Sequence, residues 1–129
     1  RMSYTDIGLE TGLSTSAAQQ RVRRLEQRGL ITGYRAILNP DALGKLLTAF
    51  VQLRALDPTR DDQVPDIITP LKGVISCYSV AGQASHLLMV QVGTPADLEA
   101  LLTQIRQTAH VSTETTLVLS VPFHDRPLV

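Results

Sequence analysis

The order of strands and helices predicted over residues 47–121 restricts the fold more than any other feature. Four β-prone segments are predicted as strands, over 47–56, 74–81, 85–92 and 111–121. A short helix is predicted over 63–71, and a longer one follows Thr94, with Pro95 suited to its first position. The resulting β-α-β-β-α-β order predicts an α+β, ferredoxin-like domain, also called a split βαβ.

The front of the chain reads as two helices joined by a tight turn. Ser3 can cap the first helix, and Gly12 can adopt positive φ at its C-terminal end. Ser14 or Thr15 then caps a second helix, which is expected to end near residue 28. Two β-prone pieces surround Thr32-Gly33, so we expect a small hairpin over 30–38 that could act as a wing.

Positive charge is concentrated at this front end, although the whole chain has a formal net charge of zero. Residues 1–35 contain six arginines and three acids, which gives +3. Residues 36–129 contain the other six of 12 basic residues and the other nine of 12 acids, which gives −3. This asymmetry indicates that only the front of the chain meets a polyanion.

The second helix has a polar face suited to duplex DNA. Ala18, Val22 and Leu25 recur at helical spacing and predict a buried stripe. On the other side, hydroxyls and amides near the helix start can reach base edges, and later arginines can neutralise phosphates. The predicted DNA-binding residues are Ser14, Thr15, Ser16, Gln19, Gln20, Arg23, Arg24, Arg28 and Arg35. A solvated arginine-rich face is the alternative, and Arg21 could equally form an ion pair inside the domain.

The sequence resembles the Lrp/AsnC, or feast/famine, regulators through motifs in matching order. These are Leu13-Ser14, Arg21-Val22, Leu25-Glu26, Gly29-Leu30-Ile31, Gly33-Tyr34 and Asn39-Pro40…Leu43-Gly44, followed by 74–92 and 112–119. The resemblance implies a winged helix-turn-helix before a ferredoxin-like regulatory domain. It also implies one more helix before Arg1, so the sequence is expected to be part of a longer chain. The predicted domains are 1–35 for DNA binding, 36–46 as linker and 47–129 for effector binding and oligomerisation.

The same resemblance implies a small effector, commonly an amino acid, bound near the turn 81–85. A glycine there lets backbone amides approach a carboxylate closely. Many members carry an acid where this chain has Ser85, so another residue would have to supply negative charge. The predicted effector-binding residues are Tyr78, Val80, Ala81, Gly82, Gln83, Ser85, Thr113 and Thr115. A plain hairpin turn and an ordinary half-exposed strand are the alternatives.

No metal, cofactor or catalytic site is predicted. His86, His110 and His124 lack the spacing of metal ligands, and no Ser-His-Asp order, P-loop or GxGxxG motif occurs. The single Cys77 excludes a disulfide scaffold and fits a reducing compartment. No run of 18 apolar residues occurs, so no membrane span is expected.

We therefore expect a cytoplasmic, sequence-specific transcription regulator rather than an enzyme. The partners implied by the resemblance are double-stranded DNA, an amino-acid effector and further copies of the chain, as dimers built through the sheet domains and often as rings of four dimers. Two alternatives remain open at this point. One is an enzyme like the siroheme decarboxylases, which resemble this family, and the other is a ligand-binding oligomerisation module that does not bind DNA.

Overall fold

The computed structural model describes residues 3–128, which divide into two compact units between Leu38 and Asn39. The helices are α1 (Tyr4–Thr11), α2 (Thr15–Gln27), α3 (Val64–Ile68) and α4 (Pro95–Ala109). The strands are β1 (Leu47–Ala55), β2 (Val74–Ser79), β3 (His86–Val92) and β4 (Val111–Leu117). Short 3₁₀ helices span Asp41–Leu43 and Pro58–Gln63. The predicted β-α-β-β-α-β order of the second unit is confirmed.

The second unit is built on a four-stranded antiparallel sheet in the order β2-β3-β1-β4. Because side chains alternate along a strand, Val51 of β1 and its partner Leu88 of β3 face the same side. That side packs against α3 and α4 in a continuous apolar core, in which Leu88 and Ile105 are fully buried. The opposite side, which includes Phe50 and Met89, is only half-buried.

Helix α4 begins where its sequence predicts, and a left-handed residue ends it. The Thr94 side chain accepts a hydrogen bond of 3.1 Å from the Asp97 backbone N–H, and Pro95 occupies the first turn. At the other end, His110 adopts a left-handed conformation with φ 51° and donates its N–H to the Arg106 carbonyl. These caps fix the point at which β4 starts beside β1.

In the first unit, α1 and α2 form a helix-turn-helix in which the turn packs closely against Gly8. Ser3 caps α1 by accepting from the Asp6 N–H at 3.1 Å, and Gly12 takes φ 73° at the helix end. The Leu13 N–H then donates to the Gly8 carbonyl at 2.8 Å. A Cβ atom on Gly8 would lie 2.5 Å from the Leu13 carbonyl oxygen, so the turn packs directly on the glycine backbone.

The prediction of a hairpin over 30–38 is wrong, since those residues contain no strand in the structure. The N–H groups of Leu30 and Ile31 both donate to the Leu25 carbonyl and thereby close the end of α2. Further along, Ile37 is 95% exposed and packs against no surface formed by residues 3–128. β-Propensity reflects packing on a half-buried sheet surface, and this segment lacks such a surface.

Smaller differences concern element ends. The sequence predicts a polar loop over 57–62, between the first strand and the short helix, but the structure has a 3₁₀ helix over Pro58–Gln63 capped by Asp57. Hydrogen bonds from the Thr59 hydroxyl and N–H lower the pKa of the Asp57 carboxyl. Strand β4 ends at Leu117, four residues before its predicted end, because β1 begins at Leu47 and offers few further partners. Within residues 3–128, no helix combines the length and apolar character of a membrane span.

Candidate DNA-binding helix and effector pocket

Helix α2 presents most of its predicted DNA-binding side chains outward. Thr15, Ser16 and Gln20 are exposed, and Gln19 is half-buried, whereas Ala18 on the other side is fully buried. The Ser14 hydroxyl caps the helix by accepting from the Ala17 N–H at 3.2 Å. The Thr15 hydroxyl donates to the Thr5 hydroxyl at 3.4 Å, and the Ser14 and Ser16 hydroxyl oxygens lie 3.5 Å apart. These hydroxyls nevertheless stay on the exposed side of the helix start.

The arginines of α2 are exposed and form no salt bridge among residues 3–128. Arg21 is among them, so the ion pair inside the domain that the sequence left open does not form. The acid on this helix, Glu26, accepts a hydrogen bond of 2.9 Å from the Tyr34 hydroxyl. Arg35, next to that tyrosine, is exposed in the segment where the hairpin was expected. Cations on this helix thus face solvent rather than protein carboxylates.

The predicted effector turn connects β2 to β3 and is tied to the neighbouring strand. The Val80 N–H donates to the Ser85 carbonyl, and the Ser85 N–H donates to the Leu53 carbonyl of β1, both at 3.0 Å. Gly82 is exposed, and a Cβ atom there would meet no atom within 4 Å. The backbone at Gly82 therefore has room to be approached from outside.

A depression of about 200 Å³ lies beside this turn, between β1 and β4. Its lining residues are Gln52, Leu53, Arg54, Gln83, Ala84, Ser112, Thr113 and Glu114. The Arg54 guanidinium crosses to the turn, where its Nε donates to the Gln83 carbonyl at 2.8 Å and its Nη2 donates to the same oxygen. This contact fixes the guanidinium at the edge of the depression.

The structure brings together only two of the predicted effector residues in this depression, Gln83 and Thr113. The Thr113 hydroxyl accepts a hydrogen bond of 3.1 Å from the Arg106 guanidinium of α4. Thr115 opposes Val51 and shares its core-facing side of the sheet, away from Gln52 and Arg54. The remaining predicted residues lie in or beside the turn without lining the depression, namely Tyr78, Val80, Ala81, Gly82 and Ser85.

Sequence reasoning missed four polar lining residues: Gln52, Arg54, Ser112 and Glu114. They share one face of the sheet because Arg54 pairs with Ser112 and Gln52 pairs with Glu114. The period-two pattern of each strand was visible in the sequence, and it could have suggested a common face. The pairing register between β1 and β4 was not visible. Among residues 3–128 the structure contains no group of three potential metal ligands.

Comparison with known proteins gives matches over both units. The model of the Lrp/AsnC ligand-binding domain matches residues 48–128, and a winged helix-turn-helix DNA-binding model matches residues 1–32. The HTH-type transcriptional regulator LrpA of Mycobacterium tuberculosis is 46% identical over 126 residues, which cover 98% of this chain and 84% of that protein. A leucine-responsive regulatory protein of Haemophilus influenzae is 33% identical over 104 residues, which cover 79% of this chain and 63% of that protein.

Two solved structures show the same architecture. A feast or famine regulatory protein from M. tuberculosis complexed with L-methionine superimposes with a TM-score of 0.83 at 46% identity, covering 95% of this chain and 84% of that one. AsnC of E. coli superimposes with a TM-score of 0.84 at 25% identity, covering 98% of this chain and 87% of that one. The similarity therefore extends over the helix-turn-helix and the sheet domain together.

Proposed function

The chain belongs to the Lrp/AsnC family of transcriptional regulators, with a DNA-binding helix-turn-helix and a ligand-binding domain, and from this premise we propose how it works. Helix α2 enters the major groove of duplex DNA, and a small effector, an amino acid, binds beside the turn 80–85. The main support for the proposal is the outward face of α2, where exposed hydroxyl and amide side chains are followed by arginines. None of these arginines forms a salt bridge with a carboxylate among residues 3–128.

The order of side chains along α2 supports separate roles in DNA binding. The helix start carries polar side chains that can hydrogen-bond base edges once this end of α2 enters the major groove. They belong to Thr15, Ser16 and Gln19. Arg23, Arg24 and Arg28 come later and suit phosphate contacts, which supply affinity through counterion release. In a dimer, two such helices would contact half-sites about one helical turn apart.

We infer a homo-oligomer built through the sheet domains, as dimers that can assemble further into rings of four. The support is the face of the sheet that the helices leave open, where Phe50, Leu87 and Met89 are only half-buried. An effector can change DNA binding only if it binds one assembly or DNA-bound form more tightly than another. An amino acid is proposed because the M. tuberculosis relative was solved with L-methionine. With DNA as its partner, the protein would act in the cytoplasm.

A mobility-shift titration tests the DNA-binding part. The full-length gene product containing this sequence is titrated against its own upstream region at several salt concentrations. We expect Arg23→Ala combined with Arg24→Ala to weaken binding on all sequences. The slope of log K against log salt should become shallower by about 0.9 for each phosphate that the variant no longer neutralises.

Arg60→Ala is the matched control for this titration. Arg60 is an exposed arginine of the second unit whose one ion pair among residues 3–128, to Asp57 at 3.8 Å, lies on the surface. Equal affinities and equal salt slopes for the control and the α2 double variant would contradict the assignment of α2 to DNA.

We also propose that the chain has no enzymatic activity. A siroheme-decarboxylase-like reaction would need a basic, histidine-bearing cleft, and no histidine lines the depression beside the turn 80–85. A porphyrin titration followed by absorbance checks this point. A saturable spectral shift would favour the enzyme over the regulator.

A further inference from the structure

The segment that follows α2 is bonded to the last turn of that helix at two points. At the first, the two backbone N–H groups of residues 30–31 donate to the Leu25 carbonyl at 2.9 and 3.2 Å. At the second, the Tyr34 hydroxyl donates to Glu26 Oε1 at 2.9 Å. Two residues lie between these points, so the chain over 30–34 forms a short loop that closes on α2.

The second bond matters because neither burial nor a sheet holds this part of the chain. Residues 32–38 are all exposed, and the Tyr34 side chain is 51% exposed. No strand is formed there, so ladder hydrogen bonds do not fix the backbone. A segment with few buried apolar contacts opens easily, and the bond from Tyr34 to Glu26 therefore contributes directly to where residues 33–35 lie.

The bond attaches the loop to the side of α2 that is proposed to face DNA. Glu26 lies seven residues after Gln19, which is two helical turns, and three residues after Arg23. Residues at these spacings share one face of a helix. Glu26 forms no salt bridge with Arg23 among residues 3–128, since its carboxylate accepts from the Tyr34 hydroxyl instead. The loop is thus drawn toward the face that carries Gln19 and Arg23.

Arg35 is the next residue after this bond, and its side chain is exposed. It belongs to no helix or strand, so its backbone is not fixed by regular secondary structure. A cation on a freely moving segment loses conformational freedom when it binds a phosphate, and that loss lowers affinity. A neighbouring side chain already bonded to α2 reduces this loss for Arg35.

We propose that Tyr34 is a positioning residue for DNA binding. By donating to Glu26 it holds Arg35 on the DNA-facing side of the end of α2, where the guanidinium binds a phosphate. The loop thereby takes the role of a wing although it contains no strands. This inference rests on the proposed function, because it assumes that α2 and Arg35 contact DNA.

A mobility-shift titration of the full-length gene product at several salt concentrations tests the pairing of Tyr34 with Arg35. Tyr34→Phe should weaken binding about two- to fivefold, as the loss of one hydrogen bond implies. Arg35→Ala should weaken binding at least as much and make the salt slope shallower by about 0.9, the value for one phosphate. The combined variant should bind no more weakly than Arg35→Ala alone, because both changes remove the same contact. Tyr4→Phe is the matched control, since this tyrosine of α1 takes no part in the bond to Glu26.

Two substitutions of Glu26 separate the hydrogen bond from the charge. Glu26→Gln and Glu26→Ala both remove the negative charge, but only glutamine keeps an oxygen that accepts from the Tyr34 hydroxyl. The glutamine variant should bind DNA about two- to fivefold more tightly than the alanine variant. Alanine favours a helix at least as much as glutamine, so weaker binding by Glu26→Ala would not come from loss of helix. In the Tyr34→Phe background the two variants should bind equally.

The outcomes distinguish this inference from the proposed function. Tyr34 has no positioning role if Tyr34→Phe binds like Tyr4→Phe, or if its effect multiplies fully with that of Arg35→Ala. Equal binding by Glu26→Gln and Glu26→Ala in the wild-type background would also overturn it. If Arg35→Ala keeps wild-type affinity and salt slope, this inference fails, while a loss of binding in the Arg23→Ala and Arg24→Ala double variant still supports DNA binding by α2.

Discussion

Replacing Gly8 by alanine should separate the two helices of the helix-turn-helix. The added Cβ would lie 2.5 Å from the Leu13 carbonyl oxygen and 3.3 Å from Ser14 backbone atoms. Ordinary van der Waals contacts of a Cβ begin near 3.4 Å. The turn must therefore move by about 0.9 Å, the difference between 3.4 and 2.5 Å, and the atom in the way is backbone rather than a flexible side chain.

Two energetic effects of this substitution oppose each other. Alanine favours a helix over glycine by about 1 kcal/mol, which would stabilise α1. Overpacking costs about 1–3 kcal/mol, and the 2.8 Å hydrogen bond from the Leu13 N–H to the Gly8 carbonyl is strained by the same movement. We expect a net destabilisation of the first unit by up to about 2 kcal/mol, together with weaker DNA binding because α2 changes its angle.

Thermal unfolding followed by circular dichroism and a mobility-shift titration measure the two effects. Gly33→Ala is the matched control, because a Cβ there meets no atom within 4 Å and Gly33 has no positive φ. It should leave DNA binding unchanged. Equal stability and equal DNA affinity for Gly8→Ala and Gly33→Ala would refute the packing argument.

Four further predictions concern α2, β2 and β3. Gln19→Ala should mainly relax base preference, and an equal loss on all sequences in a binding-site selection would contradict this. Partial burial raises the pKa of the Cys77 thiol, so iodoacetamide at pH 8 should alkylate the native protein more slowly than the urea-unfolded chain. His86, 5% exposed, lies 3.8 Å from Asp61 Oδ1, and neither facing atom has a hydrogen bond in the described chain. His86→Leu combined with Asp61→Ala removes both facing groups and should therefore change the unfolding free energy by less than about 1 kcal/mol. Leu88→Ala in the same strand should cost about 2–5 kcal/mol in denaturant unfolding.

The helix ends could be predicted from the sequence where a capping side chain or a glycine determines them locally. Ser3 and Thr94 cap their helices as their side chains suggest, and Gly12 takes the left-handed conformation that its position requires. The segment 30–38 was not predictable in this way. Its β-prone residues have the composition of a hairpin, but a strand also needs a partner and a surface, and neither can be read from one short stretch of sequence.

The candidate pocket shows the same division between local and non-local information. The family resemblance placed the effector near the turn 81–85, and the glycine of that turn is a local feature of the sequence. Arg54 and Glu114 come from strands about sixty residues apart in the chain, and they meet in one depression because of the register that pairs β1 with β4. A shift of that register by one residue would turn Glu114 to the core side of the sheet. The neutral side chain of Ser85 therefore does not indicate which charge the ligand carries. The register between β1 and β4 decides which charged side chains lie beside the turn.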